Sequence, residues 1–229
     1  LAITAGIHLR KDFGEEGIYK TYPLFSIKYQ HKGLALINGA LEGNIHHRFI
    51  EPVFDMERKI TNPVEYGTQL QITKPGLFID AFLNWNKMIY KPSSEQEQLF
   101  AGGSADITLY KSDKTTLSLP LQILAFHQGG QIDTLDAPLK TIINGAAGFK
   151  LNYALGETFR SVFTENYLVG YTDNSTTQLQ PYNKGNGVYL NAGVKSKYGD
   201  LIFSYWNADS YISSAGMPLY QSVSYNVGN

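Results

Sequence analysis

The chain contains no cysteine. That excludes a disulfide framework and any thiolate metal site. It also lacks an uninterrupted apolar run of the roughly 18 residues that a membrane helix needs. Charge is sparse: Asp, Glu, Lys and Arg make up 17% of the residues and the net charge is −1. Without a basic excess there is no electrostatic footprint for nucleic acid, and without a block of like charge there is no disordered interaction tail. No Gly-x-Ser-x-Gly, P-loop or dinucleotide fingerprint is present, because the glycines do not stand between a strand and a helix. The mean hydropathy of −0.22 has the look of a soluble protein. It argues little against a membrane, since a barrel strand turns only alternate residues toward lipid. The chain begins at Leu1 and shows no signal peptide, as expected of a mature or trimmed chain.

What the chain does have is a rhythm of short and long connections. Tight turns are expected at 31–33, 74–76, 112–114, 155–157 and 198–200. Long polar connections are expected at 10–21, 43–65, 90–98, 128–140, 172–186 and 207–218. Membrane barrels alternate connections in this way, with short turns on the periplasmic side and long loops outside. Soluble sandwiches mix turn lengths without such order. The 229 residues suit one all-β domain, 1–229.

The intervening segments alternate with period two, the mark of a strand with one apolar and one polar face. In 115–126, Leu117, Leu119, Leu121, Ile123 and Ala125 oppose Thr116, Ser118, Pro120 and Gln122. In 142–153, Ile143, Ala147, Phe149, Leu151 and Tyr153 oppose Asn144, Lys150 and Asn152. Segments 1–9, 77–86, 103–111 and 188–197 repeat the pattern. Segment 159–171 can face either way, because Glu165 lies on one side and Arg160 and Asn166 on the other. Pro120 has no N–H to give a ladder and predicts a bulge or kink. A weak final strand is expected over 219–227. Tyr29, Trp85, Tyr110, Tyr153, Tyr171, Tyr198, Tyr205 and Tyr225 fall near strand ends, where membrane barrels carry aromatic girdles.

In this architecture the chain resembles a Gram-negative outer-membrane β-barrel protein. The expected fold is an antiparallel up-and-down transmembrane β-barrel of about 12 strands. The resemblance implies location in the cell outer membrane, insertion by the barrel assembly machinery, and both termini in the periplasm. It implies membrane lipid as a partner, with other outer-membrane proteins as further candidates. The ending Tyr225-Asn226-Val227-Gly228-Asn229 departs from the terminal aromatic residue common in the class.

Three places carry candidate chemistry. The connection 43–65 holds His46, His47, Glu51, Asp55 and Glu57, a composition that divalent ions use. Adjacent histidines in an extended chain point apart, however, and no metal site is expected. The same stretch carries Phe49, Ile50, Val53, Phe54, Met56 and Ile60, too apolar for disorder. They predict an ordered segment, with a short helix between Pro52 and Pro63, that caps the barrel or docks a partner. The second place is His127-Gln128-Gly129-Gly130 with Asp133 and Asp136. It stands at the outer end of a strong strand but has no serine or other nucleophile beside it in sequence. No catalytic residue is expected there, and no cofactor. The third is a set of inward charges, Lys28, Asp80, Asp106, Lys150, Arg160 and Lys195, of both signs. They predict either a selective constriction or a lumen filled by paired charges. Glycines 102, 103, 145, 148 and 193 within strands predict bulges, close contacts or a smooth packing face. Together these features predict a non-enzymatic barrel, either an accessory subunit of an outer-membrane assembly or a narrow channel. Two alternatives are a rim-site hydrolase acting on lipid or peptide and a soluble lipocalin-like binder.

Overall fold

The alternation just described becomes a single antiparallel sheet in the computed structural model, which describes all residues except 15, 19, 92–93, 131–133 and 224–229. Eleven strands follow one another in sheet order exactly as in sequence order, so every connection joins neighbours. They are β1 (Ala2–Arg10), β2 (Lys20–His31), β3 (Leu34–Ala40), β4 (Tyr66–Lys74), β5 (Leu77–Lys87), β6 (Gln98–Lys111), β7 (Thr115–Gln128), β8 (Lys140–Ala154), β9 (Phe159–Asp173), β10 (Lys184–Ser196) and β11 (Asp200–Asp209). The expected rhythm holds: connections 32–33, 75–76, 112–114, 155–158 and 197–199 lie at one end, and the long ones at the other. The expected final strand is not formed over the described part of its range. Residues 218–220 make a 3-10 turn instead, and 224–227 lie outside the described residues, as does Tyr225 of the expected girdle.

The two faces of the sheet differ as the period-two pattern requires. Leu121, Ile123, Phe149, Leu168, Leu190 and Phe203 are exposed on the outer face, while their neighbours Gln122, Leu124 and Asn191 are buried on the inner one. β9 settles its ambiguity by turning Glu165, Tyr167 and Val169 inward. The outward Asn166 then donates to the outward Thr164 at 2.7 Å, so the polar pair satisfies itself on the apolar face. Pro120 produces no register shift in β7. Its missing donor instead leaves Leu119 and Pro120 out of the ladder to β8, and the bulge falls on the facing strand, between Thr108 and Tyr110. Of the expected girdle, Tyr29, Tyr110, Tyr153, Tyr198 and Tyr205 are exposed. Tyr171 is the exception: it points inward and donates to the Tyr182 carbonyl at 2.8 Å.

The inner face is filled by chain rather than left open. The β3–β4 connection, 41–65, runs inside with a 3-10 turn at Asn44–His47 and a single helical turn α1 (Arg58–Thr61). It bonds to side chains of β5, β6 and β7 and lines a cavity with β9, β10 and β11. From the other edge, Arg10 of β1 donates to the Ile60 carbonyl at 3.0 Å. One segment can meet both ends of the strand order only because the sheet curls around it, as a barrel does. Residues 210–223 fold against the same segment. Tyr211 donates to the Pro52 carbonyl at 2.9 Å, Ser213 to the Val53 carbonyl at 3.1 Å, and Tyr220 to Glu51 at 2.8 Å.

Candidate functional site

A cross-strand row of polar groups runs over the inner face. Gln71, Asp80, Ser104 and Gln122 stand opposite one another on β4, β5, β6 and β7. All but Gln71 reach the inner segment directly. Ser104 donates to the His47 carbonyl, and Gln122 both accepts from the Ile50 amide and donates to the Arg48 carbonyl, each at 3.0 Å. The row therefore satisfies backbone groups that a connection buried in a barrel would otherwise leave unpaired.

His47 is the centre of this arrangement. Its Nε2 lies 2.8 Å from Glu65 and its Nδ1 3.1 Å from Asp80, and its ring stacks on Phe82 with centroids 3.8 Å apart. Asp80 in turn accepts from Gln69 at 2.7 Å and Gln71 at 3.0 Å. Gly43 permits the close approach: a Cβ there would stand 2.1 Å from the Glu65 carboxylate. Burial pushes the His47 imidazole toward its neutral form. Hydrogen bonds to Asp80 and Glu65, with the attraction of both carboxylates, outweigh burial and raise its pKa to about 9. Arg58, held between the rings of Phe54 and Phe100, supplies a second positive charge near Glu65. Two cations thus face two anions inside the barrel. All three side chains of the His47 triad have no exposed surface. A group so enclosed, with both ring nitrogens engaged, cannot receive a substrate.

A different pair stands at the long-loop end. His127, near the end of β7, lies opposite Thr141 at the start of β8. The alternation of β7 points His127 outward, in line with Ile123 and Ala125, and Thr141 likewise continues the outward row of Ile143 and Ala147. His127 Nδ1 is 2.9 Å from Thr141 Oγ1. The Thr141 amide donates to Ser175 Oγ at 3.0 Å, and the Ser175 amide donates to Asp173 at 3.0 Å. This rim cluster is half-buried, open on the side that faces away from the barrel.

The fold therefore treats the expected site residues unequally. Val53 and Phe54 are buried and Phe49 and Ile50 pack against them, but Met56 and Ile60 remain exposed. Lys150 pairs with Asp106 at 2.9 Å, Lys28 pairs with Glu42, and Asp80 holds His47. Lys195 lies over Phe163 in the inner cavity beside Glu165 and Asp200. Arg160 does not join them: it is exposed, next to the inward Ser161, and so belongs to the outer face. Among the described residues no three His, Cys, Asp or Glu gather in metal-binding geometry. Asp136 is exposed and Asp133 lies outside the described residues. Along the chain no nucleophile stands beside His127, whose neighbours are Phe126 and Gln128. The hydroxyl comes instead from the neighbouring strand, 14 residues on. Pairing β7 with β8 across the Gly129-Gly130 turn region was the available signal.

A curled antiparallel sheet with a filled polar interior, an apolar outer face and a histidine–hydroxyl pair at its long-loop rim defines a β-barrel of the membrane type with a surface site. The chain belongs to the Lipid A 3'-O-deacylase-type family, which matches residues 1–229. Comparison with curated proteins and with solved structures gave no match. Membership in a family of deacylases overturns the expectation of a non-enzymatic subunit or channel. It favours the rim-site lipid hydrolase that the sequence left as an alternative.

Proposed function

We propose that this chain is an outer-membrane hydrolase that removes an ester-linked acyl chain from a lipid A-type glycolipid, and that the reaction takes place at His127. The observation that carries the reading is the outward His127–Thr141 pair in a chain of deacylase family. An acylated glycolipid anchored in a membrane presents its ester at the level where apolar wall gives way to polar loops. His127 stands at that level, whereas the enclosed His47 triad does not. With Nδ1 tied to the Thr141 hydroxyl, Nε2 is left to take a proton from water. The water oxygen attacks the acyl carbonyl and the ester C–O bond breaks. The proton passes from His127 to the departing sugar oxygen, so a free fatty acid and a sugar hydroxyl are formed. Thr141 is then a positioning residue that fixes the ring. In this reading the segment 41–65 is a fixed stopper of the lumen, anchored by the His47 triad, rather than a docking surface for another protein.

Purified full-length chain in mixed micelles with hexa-acylated lipid A tests the reading, with release of 3'-linked acyl groups followed by mass spectrometry. Removing a positioned general base costs about 10²–10⁴-fold in rate, so His127→Ala should lose at least a hundredfold. Thr141→Val should lose less, since it removes orientation rather than the base. Full activity of His127→Ala would overturn the assignment, and a covalent acyl group trapped on Thr141 would replace water attack with attack by the threonine.

A further inference from the structure

The outer wall below the rim site is not smooth. Across β5 to β9 it sinks into a groove of about 660 Å³. Its floor is made by residues with little or no side chain, among them Gly103, Gly145 and Gly170, and its flanks by Ile79, Ile123 and Leu168. The period of the strands puts all six on the outer face. The groove is a broad, open depression in the wall rather than an enclosed cleft. Backbone geometry does not require glycine at Gly145 or Gly170. None has a positive φ, and a Cβ on Gly170 would meet nothing within 4 Å, while those on Gly103 and Gly145 would lie at 3.3 and 3.5 Å from the nearest atom. At Gly145 and Gly170 the absence of a side chain makes the hollow without relieving any strain, whereas at Gly103 a Cβ would press on the Asp80 carbonyl.

We propose that this groove is the acyl-chain subsite of the enzyme: it receives, on the lipid-facing wall, the hydrocarbon chain whose ester is cut at His127. Position and chemistry argue for that occupant. The groove opens on the face that carries the exposed apolar belt, where hydrocarbon chains are the surrounding medium. It lies on the same outward rows as the rim pair: that of β7 runs His127, Ala125, Ile123, Leu121, and that of β8 runs Thr141, Ile143, Gly145, Ala147, with the groove beginning at Ile123 and Gly145. From His127 to Ile123 is four residues, or about 14 Å of strand. A chain hung from an ester beside His127 would descend along these two rows into the hollow. A chain seated in this shallow recess gains contacts with the wall on one side, which helps to hold the carbonyl above it in place. The inference rests on the proposed reaction at His127, but it can be tested by binding alone.

The chain has no native cysteine, so a single introduced thiol is a unique reporter. The wild type in nanodiscs is exposed to a lipid A analogue with a diazirine at the end of its 3'-linked acyl chain, irradiated, and mapped by mass spectrometry. Cross-links should concentrate on Ala147 and Leu168. Gly170→Leu, whose Cβ would meet nothing within 4 Å, should lower them at least fivefold, whereas Ala5→Leu on the outer face of β1, a strand that does not line the groove, should leave them unchanged. Labelling spread evenly around the belt, or unaffected by Gly170→Leu, would overturn the groove. So would disulfide formation between Ala147→Cys chains, which would make the face a contact between copies. Turnover separates the two claims. In Gly170→Leu, release of a long acyl chain should fall at least tenfold while release of a butyryl ester persists. Groove labelling intact in an enzyme whose turnover ignores His127→Ala would retain the subsite and discard the catalytic assignment.

Discussion

His47 shows how one residue can hold a long connection inside a barrel. A histidine of ordinary pKa 6.5 is raised to about 9 between Glu65 and Asp80. The protonated form is the one the fold favours, so its stabilisation is complete below about pH 6.5 and is lost as pH rises through about 9. A rise of that size corresponds to about 3 kcal/mol, at 1.36 kcal/mol per unit. Thermal unfolding in detergent should accordingly weaken between pH 6 and pH 10. His47→Gln should remove the loss of stability near pH 9, because the amide does not titrate there; its NH₂ can still donate to a carboxylate, though it supplies no positive charge. Truncation to alanine is harsher, since it leaves Glu65 and Asp80 buried without their cation; breaking a buried pair in this way costs about 3–5 kcal/mol. A His47→Gln protein that kept the full pH dependence would show that another group titrates. Tyr211→Phe probes the second anchor and should cost about 1 kcal/mol, the usual net worth of one hydrogen bond, through its lost donation to the Pro52 carbonyl.

At the scale of the strand, outward and inward positions obey different solvents. Leu190, near the middle of β10, is exposed on the outer face, while the adjacent Asn191 is buried and donates to the Glu165 carbonyl at 3.1 Å. Leu190→Arg should therefore cost about 2–4 kcal/mol in refolding into lipid, as arginine does near a bilayer midplane. The same change at the exposed turn residue Asp113 should cost little, and equal effects at the two positions would contradict the facing. The strands were legible in sequence because period two is a local signal: the polar set Asn144, Lys150 and Asn152 is inward as the alternation requires. β9 was not legible, because its polar outward pair Asn166 and Thr164 is satisfied side chain to side chain, which alternation does not record. Arg160 misled for a related reason: it sits one residue from the strand end, where either face reaches solvent. Neither site followed from local pattern. Glu65, Asp80 and His47 meet across three elements, and His127 finds Thr141 only through strand pairing. Segment 210–223 looked like a loop and a strand because its apolar residues Tyr211, Ile212 and Ala215 serve the inner core, where no period is imposed.

The whole molecule is polarised along the barrel axis. Every long connection, the inner segment and the rim pair belong to one end, and the five short turns to the other. If that axis crosses the outer membrane with its long connections outward, the His127 site faces the leaflet where lipid A resides, and the groove below it runs into the acyl layer of that same leaflet. The opposite orientation would aim both at the periplasmic leaflet and leave the proposed reaction without its substrate. Orientation is thus the whole-molecule condition for the function, and it can be measured directly. An epitope inserted after Thr177, in the exposed part of connection 174–183, should bind antibody on intact cells. One inserted at Asp113, in the tight turn 112–114, should bind only after the outer membrane is permeabilised. The reverse pattern would remove the glycolipid from reach of His127 and defeat the deacylase reading, whatever the rim geometry. The expected pattern would place base, groove and glycolipid in one leaflet, as hydrolysis without extraction of the lipid from the membrane requires.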